Sequence, residues 1–382
     1  MAASALAGLW VIDISSSVAG AWCSRMLADF GADVVLVEPP EGHPIRDSAP
    51  FDTDGTSIAA LWLLANKRSV TLDWRSPPSA GKRMALLRTA DIVISSSTPA
   101  GLATAGTTYA DIANAGLIMA HITPHGMTGD LAEVLGNDLT AAARSGWASI
   151  NGEAQREPLK LSGWQSSLCA GTAAYAGILA ALHHRETHPG EGQEVDVSEV
   201  DVMVSTYAPA MLREQYSGKP IGRRKDADLT AGPVPVADGY FSLTISRAHF
   251  WRDAMNVLGL PDLAEDERWA ASYYRAAHKE EYVSRVEEKM RSWKKMDLFD
   301  ELALRRVIAG PVLLMDELAN NDHLRDRGFW VHPEEGGAAV EYPGAAFRMS
   351  ATPWRLRHLA RTPGADTAAV LEGAPTNQEA GR

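Results

Sequence analysis

Residues 9–37 read LWVIDISSSVAGAWCSRMLADFGADVVLV and hold two short apolar runs on either side of a helical pattern. The runs at 9–14 and 34–37 have the length and composition of buried strands, and residues 20–30 between them have the pattern of a helix. A strand, a helix and a second strand in this order predict a βαβ unit with parallel strands. This part of the sequence therefore favours an α/β fold.

The same alternation continues through the first half of the chain. Further strands are predicted at 70–72, 91–95, 117–122 and 194–197, and further helices at 78–89, 138–148 and 166–185. Strands that alternate with helices are typical of a mostly parallel, doubly wound sheet. We expect a Rossmann-like core that binds its ligand beyond the carboxyl ends of the strands.

The second half of the chain predicts a smaller α+β domain. Residues 218–229 are polar and turn-rich and indicate a linker, after which a turn, a strand and several charged amphipathic helices follow. We expect the large domain at 1–217 and the small domain at 230–315, followed by a further segment at 316–382 that ends in a C-terminal tail.

Composition and charge exclude several classes of function. The net charge is −12 and the chain has no long block of Lys and Arg, so it lacks the cationic surface that binds nucleic acid or anionic lipid. Two cysteines without a Cys/His cluster suggest neither a disulfide framework nor a metal site. The sequence shows no basic leader and no apolar run long enough to span a bilayer, so we expect a cytoplasmic protein without membrane contact.

Three loops carry residues suited to binding or proton transfer. The turn Ser17-Val18-Ala19-Gly20 leads into a helix, so its N–H groups can face an anion or a carbonyl. The stretch Asn66-Lys67-Arg68 precedes a strand and either contacts a phosphate or forms a solvated basic turn. His125 follows the strand at 117–122 and is a candidate for proton transfer, with an ordinary hydrogen-bonded loop histidine as the alternative.

Nine stretches and Asp138, spread along the chain, resemble the class III CoA-transferases, the CaiB/BaiF family. They are VAG (18–20), LADFGADVV (27–35) with VEPP (37–40), NKRSVTLD (66–73), HGMTG (125–129), GILAAL (177–182), GQEVDVS (192–198), AGPV (309–312) and DHLRDRG (322–328).

The resemblance implies a fold, an assembly and a ligand. It implies a Rossmann-like domain built from both chain ends, a smaller inserted domain, and a dimer of interlocked rings with the substrate site near the interface. The ligand is coenzyme A or an acyl-CoA thioester. Val18 and Ala19 are expected beside the pantetheine and the thioester. Asn66, Lys67, Arg68 and Arg46 are expected at the nucleotide and its phosphates.

Position 167 departs from the family pattern. Counting back four residues from Gly171 places Ser167 where the resemblance implies the catalytic aspartate. In the family reaction a carboxylate forms a mixed anhydride and then an enzyme-bound thioester, and each of these is as activated as the substrate. A serine ester is less activated, and no base for the Ser167 hydroxyl is evident in the local sequence.

Two interpretations of function follow. We expect a protein that binds CoA or acyl-CoA and takes part in CoA transfer to a carboxylic acid, as a non-catalytic subunit paired with an Asp-bearing homologue. A homodimer stays open as the alternative assembly. The alternative function is a stand-alone acyl-CoA enzyme, such as a lyase or dehydratase, a hydrolase or a racemase-like enzyme, with non-standard catalytic residues.

Overall fold

Six parallel strands form the central sheet, in a computed structural model that describes residues 4–73, 76–219, 221–223, 232–245, 248–336 and 340–373. The strands are β1 (Trp10–Asp13), β2 (Asp33–Glu38), β3 (Arg68–Thr71), β4 (Ile92–Ser95), β5 (Ile118–Thr123) and β6 (Gln193–Ser198). Their order in the sheet is β3-β2-β1-β4-β5-β6. This is the doubly wound order expected of a Rossmann-like fold, with its reversal between β1 and β4.

Helices surround this sheet and build the rest of the larger unit. They are α1 (Val18–Asp29), α2 (Ile58–Leu63), α3 (Ala80–Arg88), α4 (Pro99–Ala105), α5 (Tyr109–Ile112), α6 (Asp138–Arg144), α7 (Trp147–Ile150), α8 (Gln165–Thr187), α9 (Glu199–Thr206) and α10 (Ala208–Ser217). Two short 3₁₀ helices lie at Pro44–Asp47 and Pro77–Ser79.

Both faces of the sheet are buried, and successive strand residues point to opposite faces. In β1, Val11 packs into the core layer that contains α1 and α8, while Ile12 packs into the opposite layer with residues of α3 and α4. A strand that is covered on both faces is mostly apolar. This is why the central strands β1, β2, β4 and β5 appear in the sequence as mostly apolar runs, whereas β6 alternates polar and apolar residues.

One predicted helix is wrong in its extent. The sequence predicted a single helix at 138–148, whereas the structure contains α6 and α7 with a break between them. Gly146 has φ +84°, a left-handed conformation that interrupts a right-handed helix. The glycine therefore separates the two helices.

Helices α1 and α8 approach each other closely at Gly171. A Cβ atom at this position would lie 2.4 Å from the carbonyl oxygen of Ala19 and 3.1 Å from Cδ1 of Trp22. The backbone of α1 therefore occupies the space that a side chain would need, and only glycine fits without a shift of one helix.

We expect Gly171→Ala to lower the free energy of unfolding by about 1–3 kcal/mol, because the added methyl group overpacks the contact between α1 and α8. Gly81→Ala in α3 is the matched control, since a Cβ there meets nothing within 4 Å. Chemical denaturation of both variants measures the difference. Equal stability of the two variants would contradict the close contact.

The C-terminal part of the chain covers the open edge of the sheet at β3. Asp366 accepts a hydrogen bond from the Ser69 N–H at 2.9 Å, and Thr367 accepts one from the Thr71 N–H at 3.0 Å. The helix α19 (Thr367–Gly373) begins here. The edge strand is therefore bonded to residues from the far end of the chain.

The second compact unit is an α+β structure. A three-stranded antiparallel sheet is formed by β7 (Val234–Val236), β8 (Gly239–Thr244) and β9 (Ile308–Pro311). Its helices are α11 (Ala248–Val257), α12 (Pro261–Glu265), α13 (Glu267–Ala270), α14 (Ser272–Ala277), α15 (Lys279–Met290), α16 (Lys295–Leu304) and α17 (Met315–Ala319). This unit has its own hydrophobic core, which contains Trp251, Phe241 and Leu298.

The contacts divide the chain at definite residues. The larger unit comprises Met1–Asn151, Leu159–Ile221 and Asp326–Arg382, and the smaller comprises Gly152–Pro158 and Gly222–Arg325. The helix α18 (Asp322–Asp326) lies at the last of these boundaries along the chain, and a two-stranded ribbon of β10 (Trp330–Val331) and β11 (Tyr342–Pro343) follows. Most of the predicted linker at 218–229 lies outside the described residues. The predicted boundaries at 230, 315 and 316 stay predictions.

Within the described residues, α8 is the one helix long and apolar enough to cross a membrane by length and composition. Its residues Ala170, Ala174 and Ile178 are fully buried in the core of the larger unit. A central helix of a folded domain has the same length and composition, so this feature carries no membrane assignment.

Candidate active site

A large open cavity lies at the carboxyl ends of the central strands. Its volume is about 1260 Å³, and it is lined by residues that follow four strands: Ser15 and Ser16 after β1, Pro39–Pro44 after β2, Leu72 and Asp73 after β3, and Ser97 after β4. The reversal of strand order between β1 and β4 falls within this edge. Ligands of doubly wound sheets bind at this position.

The turn that contains Val18 and Ala19 opens α1 at this edge. The Ser17 hydroxyl caps the helix by accepting a hydrogen bond from the Gly20 N–H at 3.0 Å. A Cβ at Gly20 would lie 2.1 Å from Oγ of Ser15, so glycine permits the tight turn from β1 into α1. The predicted contact of Val18 and Ala19 with a thioester stays a prediction.

Arg46 is paired with a buried carboxylate beside the cavity. Its Nε and Nη2 atoms donate to the two oxygens of Glu38 at 2.6 and 2.7 Å, and the Ser69 hydroxyl donates to the same carboxylate at 2.6 Å. Burial alone would raise the pKa of Glu38, but the hydrogen bonds and the charge of Arg46 lower it below its usual value. Arg46 is thereby fixed next to Pro44, which lines the cavity.

The Lys67 ammonium group is fully buried inside the larger unit. It donates to the Ala21 carbonyl at 2.8 Å and lies 3.4 Å from Oδ2 of Asp13. The charged form is disfavoured by burial and favoured by Asp13, and the net result is a lowered pKa of Lys67. Lys67 therefore belongs to a buried ion pair in this structure, and its expected phosphate contact stays a prediction.

The neighbours of Lys67 bind other parts of the chain. Asn66 has φ +63° and its side chain donates to Asp29 and accepts from the Arg357 N–H at 2.7 Å. Arg68 pairs with Asp33 at the surface and lies over the Trp10 ring. Each of the three residues of this stretch thus makes its own set of intramolecular contacts.

His125 lies half-buried in the loop after β5. Burial and the nearby Arg144 lower its pKa, against the opposing charge of Asp201. The imidazole is therefore neutral near pH 7, the form that accepts a proton. The proposed catalytic role of His125 stays a prediction.

Ser167 lies in a buried cluster where three helices begin. Its N–H donates to Oδ1 of Asp138 at 3.2 Å, and its hydroxyl lies 3.4 Å from both carboxylate oxygens of Glu199. Asp138, Ser167 and Glu199 occupy the first turns of α6, α8 and α9 and are less than 8 % exposed. Helix N-termini favour negative charge, so the fold can hold two carboxylates together here.

The two carboxylates of the cluster have different surroundings. Lys160 donates to Oδ2 of Asp138 at 3.1 Å, which gives this carboxylate a cationic partner. Burial and the charge of Asp138 raise the pKa of Glu199 to about 7, and the hydrogen bond from Ser167 opposes this shift. Asp138 is thus the paired anion, and Glu199 exchanges its proton near neutral pH.

The family model described as CoA-transferase family III matches residues 6–367. The chain belongs to this family. A succinate–glutarate CoA-transferase of Agrobacterium fabrum is 33 % identical over 379 residues, which are 96 % of this chain and 94 % of the relative. The subunit BbsE of the succinyl-CoA:(R)-benzylsuccinate CoA-transferase of Thauera aromatica is 30 % identical and covers 94 % and 92 % of the two chains.

A solved structure agrees with this family assignment. The crystal structure of a CAIB/BAIF family protein from Brucella suis has a TM-score of 0.87 and 29 % identity and covers 97 % of this chain and 100 % of its own. The predicted Rossmann-like α/β fold and the resemblance to the CaiB/BaiF family are therefore confirmed.

Sequence reasoning missed Glu199 in this CoA-transferase family III chain. The residue directly follows the buried end of β6, and no role was predicted for it. Because the carboxyl ends of parallel strands meet at one edge of the sheet, a carboxylate at this position should have been considered for the site. Glu199 also supplies the acceptor for the Ser167 hydroxyl that the local sequence around Ser167 does not contain.

In the part of the chain that the structure describes, no group of three or more His, Cys, Asp or Glu side chains is arranged to hold a metal ion.

Proposed function

We propose that this chain binds an acyl-CoA thioester and takes part in the transfer of CoA to a carboxylic acid. The observation that carries the proposal is the match to CoA-transferase family III over residues 6–367. The names of several relatives contain succinyl-CoA or succinate, which makes succinyl-CoA the first donor to test. A dicarboxylic acid is the corresponding acceptor.

The CoA nucleotide is proposed to occupy the cavity at the carboxyl ends of β1 to β4. Arg46 is the most suitable phosphate contact, because its pairing with Glu38 uses Nε and Nη2 and does not involve the N–H donors of Nη1. Val18 and Ala19 lie at the start of α1, near the strand end that lines the cavity. Asn66 and Lys67 precede β3 and Arg68 is its first residue, so this stretch lies toward the amino end of the strand and does not line the cavity, and its contact with the nucleotide stays a prediction.

We expect Arg46→Ala to weaken the binding of succinyl-CoA by about 1.5–3 kcal/mol, or roughly ten- to hundredfold, because a charge-assisted phosphate contact is lost. Titration calorimetry of the full chain with CoA and succinyl-CoA measures the affinity. Arg268→Ala is the control, since this arginine also pairs with a carboxylate, that of Asp266 in the smaller unit, but does so at the surface and does not line the cavity. A wild-type chain that binds neither ligand would refute the CoA site.

A non-catalytic subunit is the second candidate for the role of this chain. It is supported by the hydroxyl of Ser167 where the family resemblance implies a carboxylate, and by the word subunit in the name of the Thauera aromatica relative. The chain would then pair with an Asp-bearing homologue, and otherwise form a homodimer. Co-purification of the tagged chain from its source organism, followed by mass spectrometry, distinguishes the two assemblies.

A further inference from the structure

We propose that Glu199 is the carboxylate that carries CoA in this chain, and that Ser167 holds it in position. This inference rests on the proposed function. It assigns the covalent step of CoA transfer to a residue of α9, whereas the sequence pattern directs attention to α8.

The two side chains meet at one point although they come from different helices. Ser167 Oγ lies 3.4 Å from each oxygen of Glu199, so the hydroxyl donates to the carboxylate symmetrically. An aspartate at 167 would extend its own carboxylate toward the same oxygens. The chain therefore has a short hydroxyl side chain on α8 and a longer carboxylate side chain on α9. Together they place a carboxylate at the position that the carboxylate of an α8 residue would reach.

Asp138 is a poorer candidate because its oxygens are already occupied. Oδ1 accepts the Ser167 N–H at 3.2 Å, and Oδ2 accepts the Lys160 ammonium at 3.1 Å. A carboxylate with a cationic partner is a weaker nucleophile, since that partner stabilises its charge. Within the described residues, Glu199 accepts a hydrogen bond from the Ser167 hydroxyl and forms no ion pair.

Ser167 is unsuited to carry the acyl group in a transfer reaction. Its attack on a thioester would produce an oxygen ester, which is too stable to return the acyl group to CoA efficiently. A carboxylate gives intermediates that keep the activation of the thioester. The hydroxyl therefore acts as a positioning group that orients the carboxylate of Glu199.

The transfer requires only the acyl-CoA donor, the acceptor acid and the Glu199 carboxylate. Glu199 attacks the thioester carbonyl, the carbon–sulfur bond breaks, and CoA leaves as a thiolate. This step produces a mixed anhydride between Glu199 and the acyl group. The thiolate attacks the glutamyl carbonyl, which forms a glutamyl-CoA thioester and releases the donor acid. The acceptor carboxylate attacks this thioester and releases the CoA thiolate, which leaves a new anhydride between the acceptor and Glu199. The thiolate then attacks the acceptor carbonyl of this anhydride, forms the new acyl-CoA and releases the Glu199 carboxylate.

Burial of the cluster has two effects on this reaction. Glu199 is 3 % exposed and Ser167 is 4 % exposed, so water has little access to an anhydride formed there. The same burial requires the residues around the cluster to open before a thioester can reach Glu199.

The decisive experiment traps the intermediate. The full chain is incubated with succinyl-CoA and treated with hydroxylamine, which converts an anhydride or thioester of a side chain into a hydroxamate, and peptides are mapped by mass spectrometry. We expect the hydroxamate on Glu199. Labelling of another carboxylate, a stable ester on Ser167, or no label overturns the proposal.

Variants separate a covalent role from a structural one. Glu199→Gln should lose both the hydroxamate and the exchange of labelled succinate into succinyl-CoA, while it keeps its affinity for CoA. Asp201→Asn, in the same helical turn but exposed, is the matched control and should keep both activities. Ser167→Ala should keep the label on Glu199 at a reduced rate.

The outcomes also distinguish failure of this inference from failure of the proposed function. If the wild type exchanges succinate and Glu199→Gln does so equally well, the role of Glu199 is refuted and CoA transfer stands. If the wild type binds CoA but shows neither exchange nor label, alone or with a homologous partner, both proposals fail.

Discussion

Replacement of Lys67 by methionine is expected to lower the free energy of unfolding by about 3–5 kcal/mol, because it leaves the Asp13 carboxylate buried without its cation. Asp13 is fully buried and accepts hydrogen bonds from Ser15 and Ser24 as well as the contact from Lys67. Hydroxyl groups alone do not compensate the cost of a buried negative charge.

Two further variants test this explanation by chemical denaturation at pH 7. The double variant Asp13→Asn, Lys67→Met removes both charges and should recover part of the lost stability, since the unpaired carboxylate is gone. Arg68→Met removes the neighbouring exposed pair and should change stability by about 0–1 kcal/mol. If Lys67→Met is as stable as the wild type and only loses affinity for CoA, the ammonium acts on the ligand and the buried pair is not structural.

Glu199→Gln is expected to stabilise the protein in a pH-dependent manner. The pKa of Glu199 is about 7 in the folded chain, above the ordinary 4.5, so the folded chain binds this proton more tightly than the unfolded chain. The wild type therefore loses stability as the pH rises from about 4.5 to about 7, and the loss then remains constant. A difference of about 2.5 pKa units corresponds to about 3 kcal/mol.

Unfolding measured at pH 4.5 and pH 8 checks this expectation. The advantage of Glu199→Gln over the wild type should be near zero at the lower pH and about 3 kcal/mol at the higher pH. Asp201→Asn should show no comparable gain, because Asp201 is exposed. An advantage that is equal at both pH values would mean that Glu199 does not titrate in this window.

The strands of the large unit could be predicted closely from the sequence. The run predicted at 117–122 is the strand Ile118–Thr123, and the run at 194–197 lies within Gln193–Ser198. The buried strand β5 is mostly apolar and β6 alternates polar and apolar residues, so the positions of both are encoded locally. The pattern of the second half also predicted a smaller α+β unit, and the family resemblance added the expectation that the large domain is built from both chain ends.

The role of Lys67 could not be predicted in the same way. In the sequence it stands in a basic, polar stretch, which favours a position at the surface. Its burial depends on Asp13, which lies 54 residues earlier and at the end of another strand. Pairing of charges across strands depends on tertiary structure that a local pattern does not contain.

The cluster at Ser167 shows a second limit of the same kind. Asp138 and Ser167 were both noted in the sequence, but Glu199 was not connected with them. Three helix starts meet only because β5 and β6 are neighbours in the sheet and α8 packs beside both. The hydroxyl and the two carboxylates therefore become one site only in the folded chain.

The bonds between β3 and the C-terminal segment constrain the order in which the chain can fold during synthesis. Ser69 and Asp366 are 297 residues apart, and Asn66 binds the backbone of Arg357 across a similar separation. A ribosome delivers β3 long before these partners, so the edge of the sheet remains uncovered while the smaller unit is made. An uncovered strand edge can pair with another nascent chain, which makes this interval the period of greatest risk of aggregation.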